Sequence, residues 1–238
     1  MTNNVLITGI SSGLGLGFAE TYLERGWSVY GLSRRGCPVQ HERLHDITCD
    51  LGDATHLAVA LKGLLDDCRA LELVILNAGV LGEIRDLTET SMESIHQVME
   101  VNVWANKRLL DWLHANLSAI GQIVLISSGA AVNGNRGWGA YSLSKATLNM
   151  LTMLYAHEFP DTHLCALAPG LVDTAMQDYL CDPKQLDAGL YPSLEKLRGS
   201  RGTEAMPTPH EAANRIAELI PALKNYPSGS FQDVRSLK

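Results

Sequence analysis

Asn4-Val5-Leu6-Ile7-Thr8-Gly9-Ile10-Ser11-Ser12-Gly13-Leu14-Gly15 decides the fold. The first five residues form a short apolar and β-branched run, the composition of a buried strand. Three glycines then interrupt the chain, and over about Leu14–Arg25 the apolar residues recur with helical period. Gly9 lets the chain turn sharply, while Gly13 and Gly15 allow close backbone approach of a pyrophosphate and tight packing of helix on strand. A helix N-terminus at this point would offer N–H groups and a positive dipole end to phosphates. A plain tight turn is the alternative. The position between a strand and a helix favours the nucleotide reading, with Gly9, Ser11, Ser12, Gly13, Leu14 and Gly15 as contacts.

The same alternation continues outward. Strands are predicted at Asn4–Thr8, Ser28–Leu32, Leu44–Cys49, Leu73–Asn77, Gln122–Ser127 and His163–Ala168, with a last one near Ser230–Val234. Helical periodicity covers about Leu14–Arg25, Ala54–Cys68, Met92–Leu117, Tyr141–Phe159 and His210–Leu223. Nearly all-apolar strands alternating with amphipathic helices predict an α/β fold: a Rossmann-type doubly wound parallel sheet of about seven strands, with helices on both faces. With 238 residues, 46% of them hydrophobic, one domain spanning residues 1–238 is expected rather than two. Gln177–Pro209 holds four of the nine prolines (Pro183, Pro192, Pro207, Pro209) and reads as an irregular substrate lid over residues 177–209, or a mobile surface connection.

A net charge of −7 and the lack of any basic run argue against a nucleic-acid partner. No apolar run approaches the ~18–20 residues a membrane span needs. Met1-Thr2-Asn3-Asn4 leads straight into the first strand, without signal-peptide architecture. Five scattered cysteines without C-x-x-C read as reduced thiols, hence a cytoplasmic protein. His41-Glu42-Arg43-Leu44-His45 matches the H-E-x-x-H zinc pattern, which needs a helix to bring both imidazoles to one metal. Pro38 just upstream and the strand predicted from Leu44 argue against that helix, so no metal site is expected.

After the second strand, a site for NAD would usually place a carboxylate on the ribose 2′-hydroxyl. The chain instead reads Ser33-Arg34-Arg35. Guanidinium forks match phosphate oxygens, so NADP(H) is the expected cofactor, unless the arginines merely decorate a loop. Asp50 is positioned to bind the adenine amino group, with Leu51 packing nearby, and Asn77-Ala78-Gly79 ends a strand at the carboxyl edge where such sheets bind ligands. Ser127 and Ser128 end the next strand at the same edge. In Tyr141-Ser142-Leu143-Ser144-Lys145 a phenol and an ammonium stand four residues apart on one helix face. A cation beside the hydroxyl would lower a pKa that is ordinarily near ~10 and make the group a usable acid or base.

Taken together these stretches resemble the short-chain dehydrogenase/reductase family, in its ordinary-length branch, over essentially the whole chain. The resemblance rests on TGxxxGxG at Thr8–Gly15, NAG at Asn77–Gly79, Asn102, Ser128, YxxxK at Tyr141–Lys145 and PGxVxT at Pro169–Thr174. Leu76 stands where the family often has a second Asn. The resemblance implies that Ser128 hydrogen-bonds a substrate carbonyl, with Ser127 as the competing serine, and that Tyr141 protonates it. It implies that Lys145 depresses the phenol's pKa and holds the nicotinamide ribose, and that Asn102 positions a water for proton resupply. Pro169, Gly170, Val172 and Thr174 would clamp the nicotinamide carboxamide. Ser128–Ala131, Arg136–Tyr141, Pro169–Gln177 and Ser228–Asp233 are similar to the sepiapterin reductase and benzil reductase subgroup. That likeness makes Trp138, Leu171, Gln177 and Asp233 candidate substrate contacts. Trp138 could instead cap the core, and Asp233 could be a surface carboxylate. The expected reaction is NADPH-dependent reduction of a small ketone, a diketone or a pterin side-chain carbonyl. A 3-oxoacyl-thioester reductase and a low-turnover NADP(H)-sensing protein are the alternatives. The resemblance also implies a homodimer paired through the long helices Met92–Leu117 and Tyr141–Phe159, with a monomer as the alternative.

Overall fold

Each strand sorts its side chains to two faces, and one sheet uses both. The computed structural model describes residues 3–237. Its strands are β1 (Asn4–Thr8), β2 (Ser28–Ser33), β3 (Leu44–Thr48), β4 (Ala70–Leu76), β5 (Ala119–Ile126), β6 (His163–Ala168) and β7 (Ser230–Asp233). They pair in parallel in the order β3-β2-β1-β4-β5-β6-β7. Val5 of β1 lies opposite Val29 on one side and Leu73 on the other. Strand order reverses between β1 and β4, which opens a crevice at the carboxyl ends of the strands.

Along β1, Val5 and Ile7 join one apolar cluster with Leu14, Phe18 and Leu23 of α1 (Gly13–Glu24) and Ala213 and Ile216 of α8 (Pro209–Leu219). Leu6, between them, faces the other cluster. There it meets Leu57 and Leu61 of α2 (Ala54–Leu64), Leu109 and Leu113 of α4 (Ala105–Asn116), and Leu148 of α5 (Gly139–Glu158). Fully burying one such side chain is worth about 1.5–3 kcal/mol, so period-two burial fixes each strand's register. Local signals set the helix starts. Asp53 caps α2 by accepting from the Thr55 and His56 N–H groups at 3.1 and 3.0 Å. Thr208 and Glu211 form a capping box on α8, with Pro209 in its first turn.

Three expectations are corrected. The helix predicted over Met92–Leu117 is α3 (Met92–Met99) and α4 joined by a π-helical turn, Glu100–Trp104, which contains Asn102. The helix predicted over His210–Leu223 tightens after Leu219 into a 3₁₀ turn, Ile220–Asn225, because Pro221 cannot donate to an α-helical bond. The stretch read as irregular carries α6 (Ala175–Cys181) and α7 (Ser193–Ser200) over a satellite core of Leu180, Leu186, Tyr191, Leu194, Leu197 and Met206. His45 of the H-E-x-x-H match sits in β3, stacked on Tyr30 with 5.1 Å between ring centroids. Among the described residues no three metal-ligating side chains gather, and no helix is long and apolar enough to cross a membrane.

Candidate active site

The carboxyl ends of the central strands open onto a cleft of about 780 Å³, within the roughly 300–1,000 Å³ usual for small-molecule sites. At one end, Gly9, Ser11, Ser12, Gly13 and Leu14 line it. Thr8 locks this loop to the end of β4. Its hydroxyl accepts from the Asn77 and Ala78 N–H groups, both at 3.0 Å, and its carbonyl accepts from Asn77 Nδ2 at 3.0 Å. Gly9 has φ of +80°, a conformation other residues rarely adopt. Gly15, read as a contact, lies beneath the cleft. A Cβ there would overlap the Gly9 carbonyl and come within 2.5 Å of Asn77 Nδ2.

Ser33, Arg34 and Arg35 line the cleft beyond β2, with no carboxylate among them. Arg35 Nη2 donates to Ser12 Oγ at 2.9 Å and reaches Ser11 Oγ at 3.4 Å, while Arg34 is exposed. Ser33 is buried and its hydroxyl has no partner, as expected of a wall shaped for a polar ligand. Asp50 accepts from the Gly52 N–H at 3.0 Å and lines the cleft with Leu51 and Asn77-Ala78-Gly79. Glycines that leave backbone bare, two guanidiniums and an orphaned hydroxyl fit the phosphates and hydroxyls of a dinucleotide.

At the other end stand Ser128, Tyr141 and Lys145. The Ser128 hydroxyl accepts from the Ala130 N–H at 3.1 Å and lies beside the Tyr141 phenol. Ser127 lines the cleft as well, but its hydroxyl is already engaged, donating to Asn149 Oδ1 at 2.6 Å. Between the two serines, geometry favours Ser128. Lys145 is buried, donates to the Ile126 carbonyl at 2.7 Å and sits 5.7 Å from the centre of the Tyr141 ring. Burial pushes the phenol's pKa up, against a smaller lowering by Ser128, and pushes the ammonium down to about 8. The Tyr141 pKa is thus raised where a depression was expected, since desolvation outweighs the Ser128 hydrogen bond.

Asn102 is fully buried and does not line the cleft. Its Oδ1 accepts from the Val80 N–H at 2.8 Å, and its Nδ2 donates to the Val80 carbonyl at 2.8 Å and to Ser144 Oγ at 2.9 Å. With both amide hydrogens used, it splices the segment after β4 to α5. Pro169, Gly170, Leu171, Val172 and Thr174 follow β6 along the wall. Trp138 and Gln177 also line it, and the Gln177 carboxamide oxygen is buried without a partner. Asp233 is not brought into the cleft. Its carboxylate is taken by Arg235, through Nε at 2.9 Å and Nη2 at 2.5 Å, and that pairing holds it below the usual carboxylate range. Sequence reading gave Thr8 no role beyond its place in the glycine motif, and missed Leu180, Leu197 and Arg201 in the lining. Only Thr8, immediately before the first glycine, carries a local signal.

The protein-family model described as short chain dehydrogenase matches residues 3–185. A benzil reductase ((S)-benzoin forming) of Bacillus subtilis strain 168 is 30% identical over 241 residues, covering 97% of each chain. A benzil reductase ((S)-benzoin forming) of Saccharomyces cerevisiae is 28% identical, over 94% of this chain and 91% of its own. The crystal structure of a short chain dehydrogenase/reductase from Saccharomyces cerevisiae superposes with a TM-score of 0.85 at 24% identity, covering 98% of this chain and 96% of that one.

Proposed function

The chain belongs to the short-chain dehydrogenase family of NAD(P)(H)-binding oxidoreductases, and we propose that its own reaction is NADPH-dependent reduction of a small ketone. One observation carries this reading. Ser128, Tyr141 and Lys145 meet at one end of a cleft whose other end is lined by the glycine loop and two arginines. Similarity to benzil reductases, at 30% and 28% identity, supports a diketone, with the side-chain carbonyl of a pterin as the other candidate.

When bound, the cofactor supplies hydride to the carbonyl carbon. Tyr141 gives its phenolic proton to the carbonyl oxygen. A phenol whose pKa is raised by burial is protonated at neutral pH, which suits a donor in the reductive direction. The Ser128 hydroxyl holds the same oxygen beside the phenol. Lys145, anchored on the Ile126 carbonyl, keeps a positive charge near the ring where negative charge grows as the proton leaves. Asn102 acts at one remove, by fixing Val80 and Ser144.

Preference for NADP(H) rests on Ser33-Arg34-Arg35, which can meet a 2′-phosphate with forked N–H groups and a hydroxyl and offers no acid to a bare ribose. Asp50 and Leu51 serve the adenine, and Pro169, Gly170, Val172 and Thr174 the carboxamide end. Trp138, Leu171 and Gln177 face the substrate under a lid of residues 177–209, which lends Leu197 and Arg201 to the cleft. The exposed apolar residues of α5 suit pairing with a second copy, and five free thiols suit a reducing cytoplasm.

The test is NADPH oxidation across diketones, sepiapterin and acetoacetyl thioesters, with NADH in parallel. A diketone or sepiapterin should be reduced with NADPH preferred. Tyr141→Phe should lower turnover by at least about 10²-fold while cofactor affinity holds, because only the transferable proton is removed. Full activity in that variant, or oxidation with none of the carbonyls, would refute the assignment.

A further inference from the structure

Arg136-Gly137-Trp138 stands one turn before Tyr141, and each of the three touches the same short piece of the lid. The Arg136 guanidinium lies 6.0 Å from the centre of the Tyr191 ring and is fixed by a forked pair to Asp86 at 2.7 and 2.5 Å. Gly137 rests against that ring so closely that a Cβ would come within 2.6 Å of it. Trp138 Nε1 donates to Ser193 Oγ at 2.8 Å. On the opposite side the Gly137 carbonyl accepts from the Arg85 N–H at 3.0 Å, so the loop is gripped from both directions. Tyr191 is 7% exposed, and Ser193 is the first residue of α7, whose Leu197 lines the cleft.

An indole has two apolar faces and a single donor. Turning the Trp138 ring would break its one hydrogen bond, and the buried Tyr191 closes the space behind Gly137. The ring therefore keeps one orientation while the lid is docked, 6.1 Å from the Tyr141 ring. Trp138 forms the cleft wall there with Leu171 and Leu197, beside the phenol.

We propose that Ser193 and Tyr191 are positioning residues that set substrate specificity. By docking on residues 136–138 they hold the Trp138 indole as a rigid wall, which favours an aryl ketone, whose flat ring can lie on it, over a small aliphatic one. The proposal rests on the carbonyl-reductase reading and deepens it. A rigid wall rewards area only in substrates large enough to lie on it, so loosening it penalises aryl and alkyl ketones unequally.

The test compares benzil with 2,3-butanedione in Ser193→Ala, with Ser193→Thr as the conservative control. The kcat/KM ratio of benzil to 2,3-butanedione should fall about tenfold in Ser193→Ala, mainly through KM for benzil, and recover in Ser193→Thr. Equal losses for both ketones, or no recovery with threonine, would overturn the proposal, because Ser193 would then only support folding of the lid. Calorimetric titration of benzil into the NADP⁺ complex provides a readout free of turnover. There the Kd should weaken about tenfold in Ser193→Ala. If the wild-type protein reduces no carbonyl, the activity reading fails and the titration decides alone. A weakened Kd upholds the positioning role, whereas an unchanged Kd, or no benzil binding to the wild-type complex, overturns it.

Discussion

Burial acts on Tyr141 and Lys145 in the same sense, disfavouring the charge each would carry. For the phenol this keeps the proton in place. For the ammonium it lowers the pKa from 10.5 to about 8, so the positive charge beside the ring is lost as pH rises through that value. Reductive kcat/KM should therefore be flat near neutrality and fall above pH about 8, read from a pH–rate profile. The stability contribution of the same residue runs the other way. Between the folded pKa of about 8 and the ordinary 10.5, the unfolded chain binds more protons, so stability rises with pH in that window. Lys145→Met should accordingly raise stability by about 1–2 kcal/mol at pH 7 while ending turnover, and thermal melts should show that gain shrinking toward pH 10. A reductive profile that keeps rising above pH 9 would remove Lys145 from the mechanism. The i,i+4 spacing was enough to put both groups on one helix face. It could not tell that the ammonium would take the Ile126 carbonyl, nor that Ser127 would turn to Asn149, because both choices depend on partners distant in the chain.

Elements are positioned here by what the glycine loop excludes. Gly15, in the first turn of α1, packs against the Gly9 carbonyl and the Asn77 side chain, which Thr8 holds at the end of β4. Gly15→Ala should push α1 away from that carbonyl. Overpacking of this kind costs about 1–3 kcal/mol, and the shift also displaces the N–H groups that line the cleft. The expected result is a lower melting temperature with NADPH affinity reduced at least about tenfold. Unchanged affinity in a folded Gly15→Ala protein would detach the loop from cofactor binding. Elements of this core were legible because their signals are local: β1 and β6 begin and end where β-branched and apolar runs do. β5 starts at Ala119, three residues earlier than composition suggests, because pairing of Ala119 and Ile120 with Ala70 and Leu71 extends it. The π-helical turn at Glu100–Trp104 leaves no mark in apolar periodicity, since Val103 stays buried while Asn102 turns inward to meet Val80 and Ser144. In α6 and α7 the apolar residues face a satellite core formed with Leu81 and Ile84, far away in sequence. Proline spacing in that region therefore suggested irregular chain.

At the scale of the whole molecule, exposed apolar side chains line the outer side of α5. Leu143, Met150, Met153 and Leu154 are 46%, 53%, 51% and 55% exposed, while the opposite face of the helix packs on the sheet through Leu148 and Tyr155. Positions 143, 150 and 154 fall on one stripe by helical spacing, and Trp104, at the junction with α4, is also exposed. Contiguous apolar surface of this kind marks association, and a two-fold axis would set the stripe against its own copy, covering both at once. The sheet edges offer less: β7 has four residues, and β3 presents the exposed His45 and Asp46. Light scattering coupled to size exclusion should thus give about twice the chain mass of 25.9 kDa. The double substitution Met150→Glu with Leu154→Glu places like charges opposite each other across such an axis, and it should halve that mass while far-UV circular dichroism keeps the wild-type spectrum. A wild-type protein of single-chain mass at micromolar concentration, or a double variant that remains paired, would move any association away from α5.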